Sequence, residues 1–188
     1  MEVEEASLTA LDAKADDGDL GISMARGAAA IWALPDSAWA DPPTALAEMG
    51  GALRRAIAGS SGPFYATALL RAARALPATP SPDDWAAAFR AGADAVAELG
   101  GAKPGDRTML DALVPAAAAF AAAIDRKEAP AAALAAAVTA AEARAAATAA
   151  MRPRLGRATY LGDRAIGNPD AGASAVVVWL RGLARSLT

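Results

Sequence analysis

The chain has 188 residues, a formal charge of −3 and a pI near 5.0, a size suited to one domain and a charge that gives no electrostatic reason to bind nucleic acid. It contains neither cysteine nor histidine, which excludes disulfides, thiolate nucleophiles, phosphohistidine and imidazole metal ligands. Hydrophobic residues make up 55% but aromatics only 5%; alanine fills the difference and is the strongest helix former, so an all-α fold is expected. The apolar runs carry charges such as Glu142 and Arg144, and no basic start leads into an apolar core. Neither a membrane partner nor a secretory leader is expected, and a cytoplasmic protein is.

Short Gly, Pro, Ser and Asp punctuation divides the sequence into helical runs. A first piece covers about Val3 to Ala15, and a second runs from Leu20 to just before Pro35. A third spans about Pro43 to Ala58. The segment Ser60-Ser61-Gly62-Pro63 opens a fourth that continues to Leu76. Ser81-Pro82-Asp83-Asp84 is a strong helix start, with a capping hydroxyl, proline at the first position and acids at the positive end of the dipole. In that fifth helix Trp85, Phe89, Val96 and Leu99 fall at helical spacing and predict a buried face ending at Gly100-Gly101. Further helices are expected from about Arg107 to Arg126, Pro130 to Met151 and Ala171 to Leu187. Between the last two lies one long irregular stretch, Arg152 to Gly172, too long for a simple connection and of the kind that carries function. The picture is one domain of seven or eight antiparallel helices, without repeats or linkers.

The chemistry concentrates in the loops. In Leu11 to Gly27, LDAKADDGDLGISMARG, the residues Asp12, Asp17 and Asp19 can converge because Gly18 permits a sharp bend. Three such carboxylates suit a hard divalent cation that also binds phosphate oxygens and water; a solvated capping turn would use the same residue types. Apolar and basic residues at the later positions exclude a calcium EF-hand. AGSSGPFYAT (58–67) is a small-residue turn whose N–H groups and Ser60 and Ser61 hydroxyls can hold phosphate, or can simply join two helices. No Walker A motif occurs. The loop at 100–109 offers the same pair of readings, and Arg154, Arg157 and Arg164 could neutralise phosphate charge.

Taken together, LDAKADDGDLGISMARG, GSSGPFYAT, GAKPGDRTMLD, GRATYLGDRAIGNPDAGA and SAVVVW, in this order from about Leu8 to the C-terminus, resemble the nucleotide-binding L subunit of dihydroxyacetone kinases, equivalent to the C-terminal domain of the single-chain enzymes. The resemblance implies an antiparallel up-and-down barrel of eight helices with ADP or ATP at one end. It implies that Asp12, Asp17 and Asp19 bind two Mg²⁺ ions. It further implies phosphate contacts at Leu20, Gly21, Ile22, Ser23, Ser60 and Ser61, and nucleotide contacts at Gly100, Met109, Arg157, Asp170, Ala171 and Gly172. Arg157 is implied as a positive contact during phosphoryl transfer, a reaction that depends mainly on charge neutralisation and in-line positioning.

In the family the hydroxyketone is held on a histidine of a separate K subunit, a role this histidine-free chain cannot fill. Either ADP stays bound and is rephosphorylated by a phosphohistidine M subunit of the phosphotransferase system, or ATP exchanges. The resemblance also allows a non-catalytic ADP-loaded module that regulates a transcription factor. Asp16 stands where the family usually has glycine, Leu20 where it has histidine and Ala66 where it has glycine; the stretch before the first motif is about one helix shorter than usual.

Overall fold

Alanine-rich runs bounded by Pro, Gly and Asp become helices throughout the computed structural model, which describes residues 2–15, 17–59 and 61–187. Asp16 and Ser60 lie outside the described residues. Among the described residues the chain is all-α, with no strand. The α-helices are α1 (Glu2–Asp12), α2 (Leu20–Trp32), α3 (Pro42–Ala56), α4 (Ser61–Ala75), α5 (Pro82–Gly100), α6 (Leu110–Asp125), α7 (Pro130–Ala147) and α8 (Ala171–Ser186). Short 3₁₀ segments occur at Asp36–Trp39, Thr148–Ala150 and Arg157–Ala165. The stretch expected to be irregular, Arg152 to Gly172, thus contains one of them, and the run expected as a single helix from Pro130 to Met151 ends in another.

The helix ends follow local chemistry. Asp41 caps α3 by accepting the Thr44 N–H at 2.8 Å, and Pro42 takes the first turn, where its missing donor costs nothing. At α5 the expected start is realised as a reciprocal box. Ser81 Oγ accepts the Asp84 N–H at 3.2 Å, while the Asp84 carboxylate accepts the Ser81 N–H at 2.8 Å. Gly101, at φ 60°, ends the helix in the left-handed region. Helix α6 begins at Leu110 rather than near Arg107, because Arg107 itself has a φ of +62° and cannot be part of a right-handed helix.

Two compact units emerge, one from residues 1–22 with 102–188, the other from 23–101. In the second, α3 packs on α4 and α4 on α5. In the first, α6 packs on α7 and α7 on α8, with α1 also against α8. Sequence neighbours are therefore mostly packing neighbours, the order an up-and-down arrangement requires. Both cores are built largely from alanine: Ala88, Ala93 and Ala95 are buried in one, and Ala112, Ala137 and Ala173 in the other, around larger residues such as Val96, Leu110 and Val176.

The buried face of α5 differs from the expected one. Trp85 is 37% exposed and Leu99 51% exposed. Val96 is buried as expected and Phe89 is half-buried, but Ala86, Ala88, Gly92, Ala93 and Ala95 supply the rest of the inward face in place of Trp85 and Leu99. The physical reason is close helix approach: a Cβ on Gly92 would lie 3.0 Å from the Ala68 carbonyl oxygen of α4. A seam that tight accepts only small side chains, so the bulky ones at helical spacing move to its margins.

Candidate functional site

The first unit brings its acidic turn to one point. Between α1 and α2, Gly18 adopts φ +75°, which bends the chain so that Asp17 and Asp19 flank the turn. Carboxylate oxygens of Asp12, Asp17 and Asp19 lie within 4.8 Å of one another. Asp12, the last residue of α1, is buried; Asp17 and Asp19 are exposed. The Asp12 carboxylate also accepts the backbone N–H of Leu20 at 3.2 Å, which sets it against the positive end of α2. Convergent, acceptor-only oxygens with two members open to solvent fit a hard divalent cation that keeps part of its hydration.

The long loop supplies a countercharge from far along the chain. Arg157 Nη1 donates to Asp17 Oδ2 at 2.6 Å, joining residues 140 positions apart. This hydrogen bond, then the positive charge behind it, holds the Asp17 carboxyl below the usual carboxylate range. Of the other two arginines, Arg154 ties back to Asp106, with its N–H on the Asp106 carbonyl at 3.1 Å and Nη1 3.9 Å from the carboxylate. Arg164 is exposed near the end of the 3₁₀ segment.

The 170–172 turn opens α8. Asp170 caps that helix by accepting the Ala173 N–H at 2.8 Å, and its own N–H donates to Thr148 Oγ1 at 2.7 Å. Burial pushes its carboxyl up to about 6, against the Ala173 hydrogen bond and the positive charge of Arg107; the nearby Asp111 and Asp12 carboxylates push the same way as burial. Ala171 is buried, and a Cβ on Gly172 would lie 3.4 Å from Met109 Cβ, so Met109 and this turn are adjacent. In this unit, then, Asp12, Asp17, Asp19 and Arg157 form one cluster, and Met109 and residues 170–172 another.

The remaining expected residues divide. Leu20 and Gly21 are buried at the start of α2, where a Cβ on Gly21 would collide with the Glu5 carbonyl of α1; Ile22 is exposed. Gly21 is therefore required for packing whether or not it meets a ligand. In the other unit, Ser23 is buried in α2, Ser61 is the first residue of α4 and half-buried, and Gly100 is the last residue of α5. Ser60 lies outside the described residues.

Four residues were not singled out by the sequence reading: Asp106, Arg107, Asp111 and Thr148, all buried. Asp111 accepts the Gly105 N–H at 2.5 Å and the Thr108 N–H at 2.8 Å, and Asp106 accepts the Lys103 N–H at 2.9 Å, so the 101–109 turn is rigidly held. Alternating charges ahead of an apolar helix (D-R-T-M-L-D) were the available signal for three of them. Nothing in the sequence marks Thr148.

Comparison with known proteins shows the family. The DAK2 domain family profile matches residues 14–185. The chain is 38% identical over 184 residues to the Escherichia coli PEP-dependent dihydroxyacetone kinase, ADP-binding subunit DhaL, covering 96% of this chain and 88% of that protein. It is 40% identical over 189 residues to the L-erythrulose 1-kinase of Mycolicibacterium smegmatis, covering 98% of this chain but only 33% of that enzyme. The crystal structure of the C. freundii dihydroxyacetone kinase in complex with AMP-PNP and Mg²⁺ superposes with a TM-score of 0.75 at 32% identity, over 98% of this chain and 31% of that one. The chain thus spans about a third of the single-chain kinases and most of the free-standing subunit, and it belongs to the DAK2 domain family.

Proposed function

We propose that this chain is the nucleotide-binding component of a hydroxyketone kinase, acting in the cytoplasm as one domain and passing a phosphoryl group to a ketose held on a separate K subunit. The observation that carries the reading is the convergence of three carboxylates on a single point, with an arginine from a distant loop beside them. In this proposal Asp12, Asp17 and Asp19 hold two Mg²⁺ ions. When bound, these ions supply charge neutralisation for the polyphosphate of ADP or ATP. The N–H groups of the first turn of α2, from Leu20 to Ile22, face phosphate oxygens, as helix N-termini commonly do. Arg157 neutralises charge that develops on the transferring group. Met109 and the 170–172 turn hold the base and sugar end. The AMP-PNP and Mg²⁺ complex of the C. freundii enzyme supports the nucleotide-binding reading, as does the ADP-binding subunit of Escherichia coli. Rephosphorylation of bound ADP by a phosphohistidine M subunit is the proposed cycle.

The test is calorimetric titration of Mg²⁺-ADP into the purified chain, followed by a phosphoryl-transfer assay with a dihydroxyacetone-binding subunit. Asp12→Ala, Asp17→Ala and Asp19→Ala should each weaken Mg²⁺-ADP binding by about tenfold or more and abolish transfer, since a hard cation loses a carboxylate in each case. Unchanged binding in all three would overturn the reading. Tight binding without transfer would assign the chain to a non-catalytic, nucleotide-loaded role.

A further inference from the structure

We infer that Arg107 is a positioning residue of the proposed nucleotide site: its buried guanidinium fixes the register between the 101–109 turn and the 148–172 loop. The inference rests on the nucleotide-binding reading above. Arg107 is 1% exposed and holds a φ of +62°, a backbone conformation that a side-chain-bearing residue adopts only when its surroundings enforce it. Its Nε donates to the Thr148 carbonyl at 3.3 Å, and one Nη donates to the carbonyls of Ala165 at 3.0 Å and Asn168 at 2.9 Å. The other Nη is buried and has no hydrogen-bond partner. A cation taken out of water and held by carbonyl dipoles is costly, and an apolar side chain of similar volume would fill the space without that cost. Packing alone therefore does not account for an arginine here.

What the guanidinium does accomplish is geometric. Thr148 stands where the long loop leaves α7, and Ala165 and Asn168 stand where it returns toward α8. A planar fork with donors on different edges spans both ends at once. The loop base is pinned further by Gly167 N–H on the Ala149 carbonyl at 2.7 Å and by Asp170 N–H on Thr148 Oγ1 at 2.7 Å. At its other end, Arg107 is anchored between Asp106 and Thr108, in the turn that the Asp111 carboxylate organises. The same residue thus connects Met109 on one side with Arg157 and the 170–172 turn on the other. Its positive charge also lies close enough to offset part of the burial of the Asp170 carboxylate. Arg107 touches no proposed reacting atom; it acts through the loop that presents Arg157.

The test uses the full chain with R107M and R107K. In ligand-free hydrogen exchange, R107M should speed exchange of the amides between Ala165 and Asp170 while leaving α3 to α5 unchanged. Calorimetric titration with Mg²⁺-ADP should give affinities in the order wild type, R107K, R107M, with R107M weaker than wild type by roughly tenfold. If Arg107 works by presenting Arg157, the two losses overlap: on an R157A background, R107M should cost less than about threefold more. A general destabilisation would instead add its full effect on either background. Binding by R107M within about twofold of wild type, the same loss with and without Arg157, or R107K no better than R107M would each overturn the proposal. Should R107M fail to fold, R107Q is judged by the same criteria. If wild-type protein binds no Mg²⁺-ADP, the nucleotide reading fails on its own. The exchange experiment then still decides whether Arg107 fixes the loop, and unchanged protection from 165 to 170 would refute it.

Discussion

Asp170 shows how a single carboxyl can hold opposing demands. As the cap of α8 it must accept a hydrogen bond, yet its burial raises its pKa to about 6 from the ordinary 3.8. A raised folded value means that the folded state binds the proton more tightly than the unfolded chain. The stabilisation is fully present below about pH 4 and is lost as pH rises through about 6. Without metal or nucleotide, wild type should therefore lose on the order of 1–3 kcal/mol between pH 4 and 7 that D170N does not lose, because asparagine keeps the cap but cannot ionise. Urea midpoints at several pH values check this, and parallel profiles for the two proteins would contradict it. At this scale the sequence was informative where chemistry is local. Asp12, Asp17 and Asp19 sit within eight positions around a glycine, a spacing that allows convergence but equally suits a solvated capping turn, and the structure brings their oxygens together. Arg107 could not be anticipated, because its partners are carbonyls 41 to 61 residues further on, and carbonyls leave no trace in residue type.

Helices were legible for a different reason: their ends are written in short codes. The Ser81-Pro82-Asp83-Asp84 start formed as expected, whereas the Asp170 cap of α8 was found only in the structure. Where expectation failed, tertiary packing overrode periodicity. Hydrophobic spacing in α5 selected Trp85 and Leu99 as buried, but the α4–α5 seam is set by Gly92 and alanines, whose small size leaves no periodic signal among so many alanines. Gly92→Val tests that account. Branched methyl groups pressed against the Ala68 carbonyl should cost about 1–3 kcal/mol of stability, read as a shift in urea midpoint without a change in slope. A neutral outcome would mean the seam is looser than its geometry indicates. The 3₁₀ segment Arg157–Ala165 was not foreseen, since its Gly162 has a φ of +53° and breaks any regular period.

For the molecule as a whole, composition fixed the class: much alanine, few aromatics, and no helix long and apolar enough to cross a membrane among the described residues. Alanine contributes little apolar area per residue, so bound ligand should be a large share of total stability. At free Mg²⁺-ADP about 100 times its Kd, the native state should gain about 2.7 kcal/mol and the melting temperature roughly 5–10 °C, with no gain from nucleotide when Mg²⁺ is chelated. Scanning calorimetry with and without EDTA reads both, and an unmoved transition would count against any nucleotide role.

The contact between Asp17 and Arg157 has a consequence for biosynthesis. A ribosome threading out the chain delivers the acidic turn 140 residues before its arginine partner. On the proposed assignment the site is complete only once Arg157 has emerged, and products that stop before it should bind Mg²⁺-ADP more weakly than the full chain.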